Sequence, residues 1–253
     1  MRQYTVVIPY YAAGAQGREL EYAVAGWRNH FQEQYHIVVI GDYHPVSDSG
    51  SDISYYPCER IAAIPGQYLP HLDMAHKMLT FMDAYPGEKG FIWVADDCYA
   101  VNPFDIHDVR MLKCKDYSME QYEKSTGICG EDFRKDKLKT RDILLQNQRP
   151  ARNFTTHLPR WYDAERLRSV LNGFNATRES YVIEDLYYNI FYPDRVPLRL
   201  SKEKDNLKYG VFNQGVTPAE LDAAAKRKIW INNSTTGWGP ELETWLQFRL
   251  MFQ

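Results

Sequence analysis

The sequence predicts an α/β fold built on a mainly parallel sheet, and two observations carry this prediction. Short, unbroken apolar runs rich in β-branched residues recur along the chain, which is typical of strands buried on both faces. Segments with apolar residues at helical spacing separate these runs, so strands and helices alternate. With 253 residues, of which 44% are hydrophobic, the chain is long enough for one domain with a full core.

The first third of the chain has the clearest pattern. The predicted strands are residues 4–9, 36–40 and 90–95, with a shorter strand at 53–56. The predicted helices are residues 18–31 and 72–82. In the first helix Leu20, Val24 and Trp27 lie on one stripe that can face the sheet. A helix between successive strands predicts parallel pairing through right-handed crossovers.

Beyond residue 100 the pattern is looser and mainly helical. Residues 113–152 form a charged excursion with a helix at 137–146. Further helices are predicted at 163–172, 181–192, 218–228 and 241–252, and strands at 153–157 and 195–200. Asp163 is a suitable cap for one helix, and Thr217 followed by Pro218 is a typical start for another.

Composition excludes several classes of protein. The net charge of −3 does not favour nucleic acid or anionic membrane as a partner through bulk attraction. No apolar run reaches the roughly 20 residues of a bilayer-spanning helix. The four cysteines show no CxxC spacing, which indicates free thiols in a reducing compartment. We therefore expect a cytoplasmic protein.

Polar residues follow three of the predicted strands, at residues 9–11, 41–42 and 96–97. Parallel strands end at one edge of a sheet, where ligands of α/β proteins bind, so we expect these ends to meet. The adjacent carboxylates of Asp96 and Asp97 repel each other unless a cation or solvent compensates. A divalent metal that also binds substrate phosphates is one such compensation. The alternative is that Asp96 caps a turn and Asp97 faces water.

In their order and spacing, residues 6–11, 41–42 and 91–97 resemble nucleotide-sugar-dependent glycosyltransferases of the GT-A fold. The resemblance implies a Rossmann-like, mainly parallel sheet flanked by helices. It also implies a nucleotide-binding half at residues 1–105 and a helical acceptor half at residues 106–253, within one catalytic domain 1–253.

The same resemblance implies a nucleoside diphosphate sugar as donor, with a UDP-sugar expected, and Mn²⁺ or Mg²⁺ as the metal. Asp97 would be the main metal ligand, and Asp96 would contact ribose or support the metal. The implied nucleotide contacts are Pro9, Tyr10, Tyr11 and Asp42.

Residues 183–185 are similar to the acidic segment on the acceptor side of these enzymes. In inverting members one such carboxylate removes the proton of the acceptor hydroxyl. The resemblance slightly favours Asp185 over Glu184 for this role, and a solvated helix face is the alternative. A retaining enzyme would not need this base, and the sequence leaves the stereochemistry open.

Four further residues are weaker candidates. His157 is the last histidine of the chain and could be a metal ligand, although a turn residue is the alternative. Gln16 and Arg18 lie in a turn that opens a helix, where backbone N–H groups can bind phosphate. Lys77 could reach a phosphate from the helix before Asp96. For each of the last three, an ordinary surface or turn role is the alternative.

The sequence thus favours a metal-dependent glycosyltransferase acting on a hydroxyl acceptor, either a saccharide or a hydroxymethylated base of phage DNA. Basic residues at 134–152 could meet an anionic acceptor or remain a solvated loop. One alternative is a capsule-type sugar-phosphate transferase, which residues 16–19, 96–97 and 157–159 loosely resemble. The other is a nucleotide-sugar-binding module without catalysis.

Overall fold

The computed structural model describes residues 3–46, 50–124, 130–201, 205, 208–209 and 217–252. Its strands are β1 (Tyr4–Tyr10), β2 (Tyr35–Gly41), β3 (Ile53–Pro57), β4 (Gly90–Trp93), β5 (Cys98–Ala100), β6 (Lys113–Cys114), β7 (Arg160–Asp163), β8 (Leu198–Arg199), β9 (Lys208–Tyr209) and β10 (Trp230–Asn233). Its helices are α1 (Glu19–His30), α2 (Leu69–Ala84), α3 (Ile106–Arg110), α4 (Gln121–Lys124), α5 (Glu131–Gln146), α6 (Ala164–Gly173), α7 (Ile183–Phe191), α8 (Pro218–Ala225) and α9 (Pro240–Leu246). A π-helical turn, Gln247–Met251, continues α9.

The central sheet has five strands in the order β3-β2-β1-β4-β7. The first four run parallel, and β7 pairs antiparallel with β4 at the edge. The predicted mainly parallel sheet is therefore confirmed. A crossover helix joins β1 to β2 and another joins β3 to β4, which is why strand ends separated by about ninety residues share one edge.

Helices cover both faces of this sheet. Alternate residues of β1 point to opposite faces. Val6 and Ile8 pack against α1 through Val24 and Trp27. Val7 faces a second cluster that contains side chains of α2, α6 and α7. Because both faces are covered, the strands are apolar without alternation, which is the pattern that identified them in the sequence.

Two strand predictions were wrong or incomplete. Residues 153–157 do not form the edge strand. Asn153 forms one isolated antiparallel bridge with Asp116. The pairing goes no further, because the amide of the next residue, Phe154, donates to the Oδ1 of Asp185 at 2.6 Å. The edge strand is β7 instead. The predicted strand at 195–200 is shortened to β8, which pairs with β6.

A second sheet, β5-β10-β9, was not predicted. β10 pairs antiparallel with β5, although about 130 residues separate them in the chain. The remaining helix predictions are confirmed within a few residues, and α5 begins six residues earlier than expected, at Glu131. Asp163 caps α6 by accepting from the amide of Arg166, and Thr217 forms a capping box with Glu220 at α8. Across the described ranges, no helix is both long and apolar enough to cross a bilayer.

Gly41 ends β2 in a conformation that only glycine adopts easily. Its φ is +136°, and a Cβ at this position would lie 2.0 Å from the carbonyl oxygen of Tyr10. We expect Gly41→Ala to destabilise the fold by about 3 kcal/mol or more, because backbone must move to relieve the clash. Gly173→Ala is the matched control, since a Cβ there meets no atom within 4 Å. Denaturant unfolding should show a large loss of unfolding free energy for Gly41→Ala only. Equal stability of Gly41→Ala and Gly173→Ala would contradict the expected clash.

Candidate functional site

A pocket of ≈ 390 Å³ opens at the carboxyl edge of β1 and β4, and we call it the strand-end pocket. The end of β1 and the residues after it form one wall, and the segment after β4 forms another. Side chains from α2, from α7 and from the chain before β7 complete it. This is the edge at which ligands bind in parallel α/β sheets.

The structure brings most of the predicted site residues together here. Those that line the strand-end pocket are Pro9, Tyr10, Tyr11, Lys77, Asp96, Asp97, His157 and Glu184. Those that do not line it are Gln16, Arg18, Asp42 and Asp185.

Contacts with neighbouring residues explain why three of the candidates lie outside the pocket. The Oδ2 of Asp42 accepts from the amide of Ala12 at 2.7 Å, so this carboxylate fixes the loop after β1. The Nε of Arg18, the residue before α1, donates to Glu21 in the first turn of that helix at 3.0 Å. The amide of Gln16 donates to Glu19, which forms the turn that opens α1. Each contact stabilises local backbone around the pocket.

Acidic side chains are concentrated at one side of the strand-end pocket. Burial, together with the charges of Asp97 and Glu19, raises the pKa of the Asp96 carboxyl well above its ordinary value. Burial also raises the pKa of Glu19, although its Oε1 accepts from the Nδ2 of Asn233 at 2.5 Å. Asn233 in turn accepts from the hydroxyl of Tyr99. Negative charge is therefore costly at this position unless a cation approaches it.

Basic side chains lie in the same pocket. The Nζ of Lys77 is buried and donates to Asp73 at 2.6 Å. The guanidinium of Arg60 lies 4.2 Å from the ring centre of Tyr11, and its buried Nε has no hydrogen-bond partner among the described residues. Arg160, at the start of β7, also lines the pocket. The pocket thus offers both carboxylates and positive charge, which suits a metal-bound polyphosphate.

Sequence reasoning did not identify Arg60 or Arg160. Arg60 follows β3 by three residues, so it lies at the end of a fourth parallel strand on the same edge. Arg60 could have been identified from the sequence by counting the residues after the predicted strand 53–56 among the strand ends. Arg160 is held by three acceptors of its Nη2, which are Lys113 O, Phe154 O and Thr156 Oγ1. Only the fold brings these acceptors together, so no local signal marks Arg160.

The two neighbouring acids of α7 have different surroundings. Glu184 lines the strand-end pocket and is partly exposed. Asp185 is fully buried, forms an ion pair with the Nζ of Lys137, and accepts from the amide of Phe154. Burial raises the pKa of Asp185 and lowers that of Lys137, and their mutual attraction opposes both shifts. Glu184 is thus the acid of this pair that a ligand in the pocket can reach.

Asp96 and Asp97 could supply oxygen ligands to a divalent metal. Within the described part of the chain, no three His, Cys, Asp or Glu side chains converge as a metal cluster. His157 lines the same pocket as Asp96 and Asp97, and its role as a metal ligand stays a prediction. The two aspartates can supply carboxylate oxygens. Burial and the charges of Asp97 and Glu19 raise the pKa of Asp96, so a cation beside it would favour its ionised form. Mg²⁺ and Mn²⁺ are commonly held by one or two carboxylates with phosphate and water oxygens.

Comparison with known proteins bears on the fold. No protein-family model matches the sequence, and no curated protein matches it. Among solved structures, the chain is similar to the apo structure of WbbM, a bifunctional glycosyltransferase, with a TM-score of 0.51 and 13% identity. The match covers 98% of this chain and 49% of that one, so this chain spans about half the length of the protein it matches. At this identity the likeness bears on the fold alone, and this chain has the GT-A-like α/β fold that the resemblance of residues 6–11, 41–42 and 91–97 implied.

Proposed function

We propose that this protein is a metal-dependent glycosyltransferase that moves a sugar from a nucleoside diphosphate to a hydroxyl group. The observation that carries the proposal is the strand-end pocket, where Asp96 and Asp97 lie in one cavity with Glu184 and basic side chains. The GT-A-like fold supports it, because this edge of the sheet is where such a donor would bind.

Each part of the pocket has a distinct task in this proposal. Pro9, Tyr10 and Tyr11 at the end of β1 contact the nucleotide. Asp97 and Asp96 would hold Mn²⁺ or Mg²⁺, and the metal would supply positive charge to the diphosphate leaving group. Lys77 and Arg60 add fixed positive charge near the same phosphates. Arg60 is the better placed of the two to donate, since Lys77 already binds Asp73.

An inverting transfer requires a base on the acceptor side. In an inverting reaction the acceptor oxygen bonds to the anomeric carbon. The bond from that carbon to the diphosphate oxygen breaks, and its electron pair leaves with the diphosphate. The proton of the acceptor hydroxyl passes to a carboxylate. We assign this role to Glu184 in place of Asp185, because Asp185 is enclosed in its ion pair with Lys137.

Ligand-induced stabilisation tests the donor site. UDP, other nucleoside diphosphates and their sugar conjugates are added to the protein with and without Mn²⁺, and the thermal midpoint is measured. Binding to the native state raises the midpoint, so we expect at least one nucleotide to do so and Mn²⁺ to increase the effect. A midpoint unchanged by every nucleotide, in either condition, would refute the donor assignment. Binding without turnover would indicate a non-catalytic nucleotide-sugar-binding module.

Glu184→Gln tests the base. We expect turnover to fall by roughly 10²–10⁴-fold, because the amide cannot accept the hydroxyl proton. The donor-induced thermal shift should remain as in the wild type. Glu165→Gln on the exposed face of α6 is the control and should leave turnover unchanged. If Glu184→Gln turns over normally, the base lies elsewhere or the reaction retains configuration.

A further inference from the structure

A second pocket, of ≈ 220 Å³, adjoins the strand-end pocket. We call it the arginine pocket. Three arginines and three aromatic side chains dominate its lining: Arg110, Arg160, Arg195, Trp161, Tyr188 and Tyr192. No described aspartate or glutamate lines it. Its charge is therefore opposite to that of the carboxylate side of the strand-end pocket.

The arginines of this pocket are held in place by rings. The guanidinium of Arg110 lies 4.2 Å from the ring centre of Trp161, and that of Arg195 lies 5.6 Å from the ring centre of Tyr192. A guanidinium held over a ring by a cation–π contact can still donate its N–H groups to an anion. Neither arginine pairs with a described carboxylate, and both are exposed.

Arg160 adds an independent sign that the pocket is built for a ligand. This side chain is 4% exposed, lines both pockets, and has a buried Nε with no hydrogen-bond partner within the described ranges. A buried, charged donor without an acceptor is costly. An anion in the arginine pocket would lower that cost, as well as neutralise the surrounding positive charge.

Helix α7 connects the two pockets. Glu184 lines the strand-end pocket and Tyr188 lines the arginine pocket. Residues four apart on a helix lie on the same face, one turn from each other, about 6 Å apart. A molecule bound in the arginine pocket therefore lies about one helical turn from the proposed base.

We propose that the arginine pocket is an acceptor subsite for a negatively charged saccharide, whose carboxylate or phosphate binds the arginines while the sugar ring packs on the aromatic side chains. The acceptor role rests on the proposed glycosyl transfer. The binding of a charged sugar in this pocket does not depend on the donor site. Its volume is below the roughly 300–1,000 Å³ of common ligand pockets, so it suits a single charged sugar unit.

Calorimetric titration without nucleotide or metal tests the subsite. The probes are D-glucuronate, glucose 6-phosphate and neutral glucose. We expect at least one charged sugar to bind, and glucose to bind at least roughly tenfold more weakly, which is the scale of a lost charge-assisted hydrogen bond. The two charged probes distinguish a carboxylate from a phosphate as the preferred anion.

Substitutions locate the binding. Arg110→Gln and Arg195→Gln should each weaken the binding of the charged sugar by roughly tenfold. Both side chains are exposed, so the fold should be retained, which the thermal midpoint checks. Arg178→Gln, at an exposed arginine outside the pocket, is the matched control and should bind as the wild type does.

Three results would overturn the proposal: equal binding of charged and neutral sugar, unchanged affinity in both pocket variants, or tighter, arginine-dependent binding of a duplex oligonucleotide. Failure of the nucleotide thermal-shift test with normal glucuronate or phosphate-sugar binding would remove the glycosyltransferase assignment and leave the pocket. Normal nucleotide binding with no arginine-dependent sugar binding would remove the subsite alone.

Discussion

Asp96→Asn is expected to stabilise the ligand-free protein and to weaken the Mn²⁺-dependent part of nucleotide binding. Burial and the charges of Asp97 and Glu19 raise the pKa of Asp96, so its ionised form is disfavoured in the folded state. The unfolded chain has an ordinary aspartate pKa. Folding therefore takes up a proton between that value and the raised one, and the wild type loses stability as pH rises through this window.

Asparagine cannot ionise, so the stability of the variant should not fall as pH rises through this window. At neutral pH we therefore expect the variant to be more stable than the wild type. The measurement is the thermal midpoint across pH, with and without UDP and Mn²⁺. Asp83→Asn, at an exposed aspartate, is the control and should change neither quantity. Destabilisation by Asp96→Asn, or an undiminished Mn²⁺ effect, would contradict the assignment.

Lys137→Met is expected to destabilise the protein by about 3–5 kcal/mol, the cost of leaving one member of a buried ion pair alone. The Nζ of Lys137 donates to Asp185 and to Thr155, and to Asn153 at 2.8 Å. Both members of the ion pair are fully buried, so solvent cannot replace the lost partner. Urea unfolding should show the loss directly.

The double variant Lys137→Met/Asp185→Asn completes a thermodynamic cycle. We expect it to lose less stability than the two single variants together, because neither charge remains uncompensated. Strict additivity would show that the pair is not coupled. Activity measurements distinguish a structural role from a catalytic one. The activity lost in Asp185→Asn should be proportional to the fraction of protein that unfolds. Glu184→Gln, in contrast, should lose turnover while the protein stays folded.

The part of the fold that the sequence predicted is the part encoded by local patterns. β1, β2 and β4 are continuous apolar runs because each strand is covered on both faces. Each position in such a strand favours an apolar side chain, so the pattern is visible in the local sequence. Once they are parallel, the chain segments after them must meet. The sequence therefore located Asp96 and Asp97 in a cleft without any knowledge of side-chain packing.

The remaining features depend on partners far away in the chain. The pairing of β5 with β10 joins short segments that have no distinctive local pattern. Glu184 and Asp185 are adjacent, and only the position of Lys137, 48 residues away in sequence from Asp185, decides which acid is enclosed. The resemblance slightly favoured Asp185 as the base. The contacts of Asp185 instead favour Glu184.

The hydrogen bond from Asn233 to Glu19 has a practical consequence for work with shortened forms of this protein. β10 lies late in the chain, yet its last residue donates to an acid beside the aspartates of the strand-end pocket. Thr235, two residues further on, lines that pocket directly. Truncation before residue 230 would therefore leave Glu19 without this donor and open one wall of the cavity. A minimal fragment that ends after β7 should bind nucleotide poorly even if its central sheet folds.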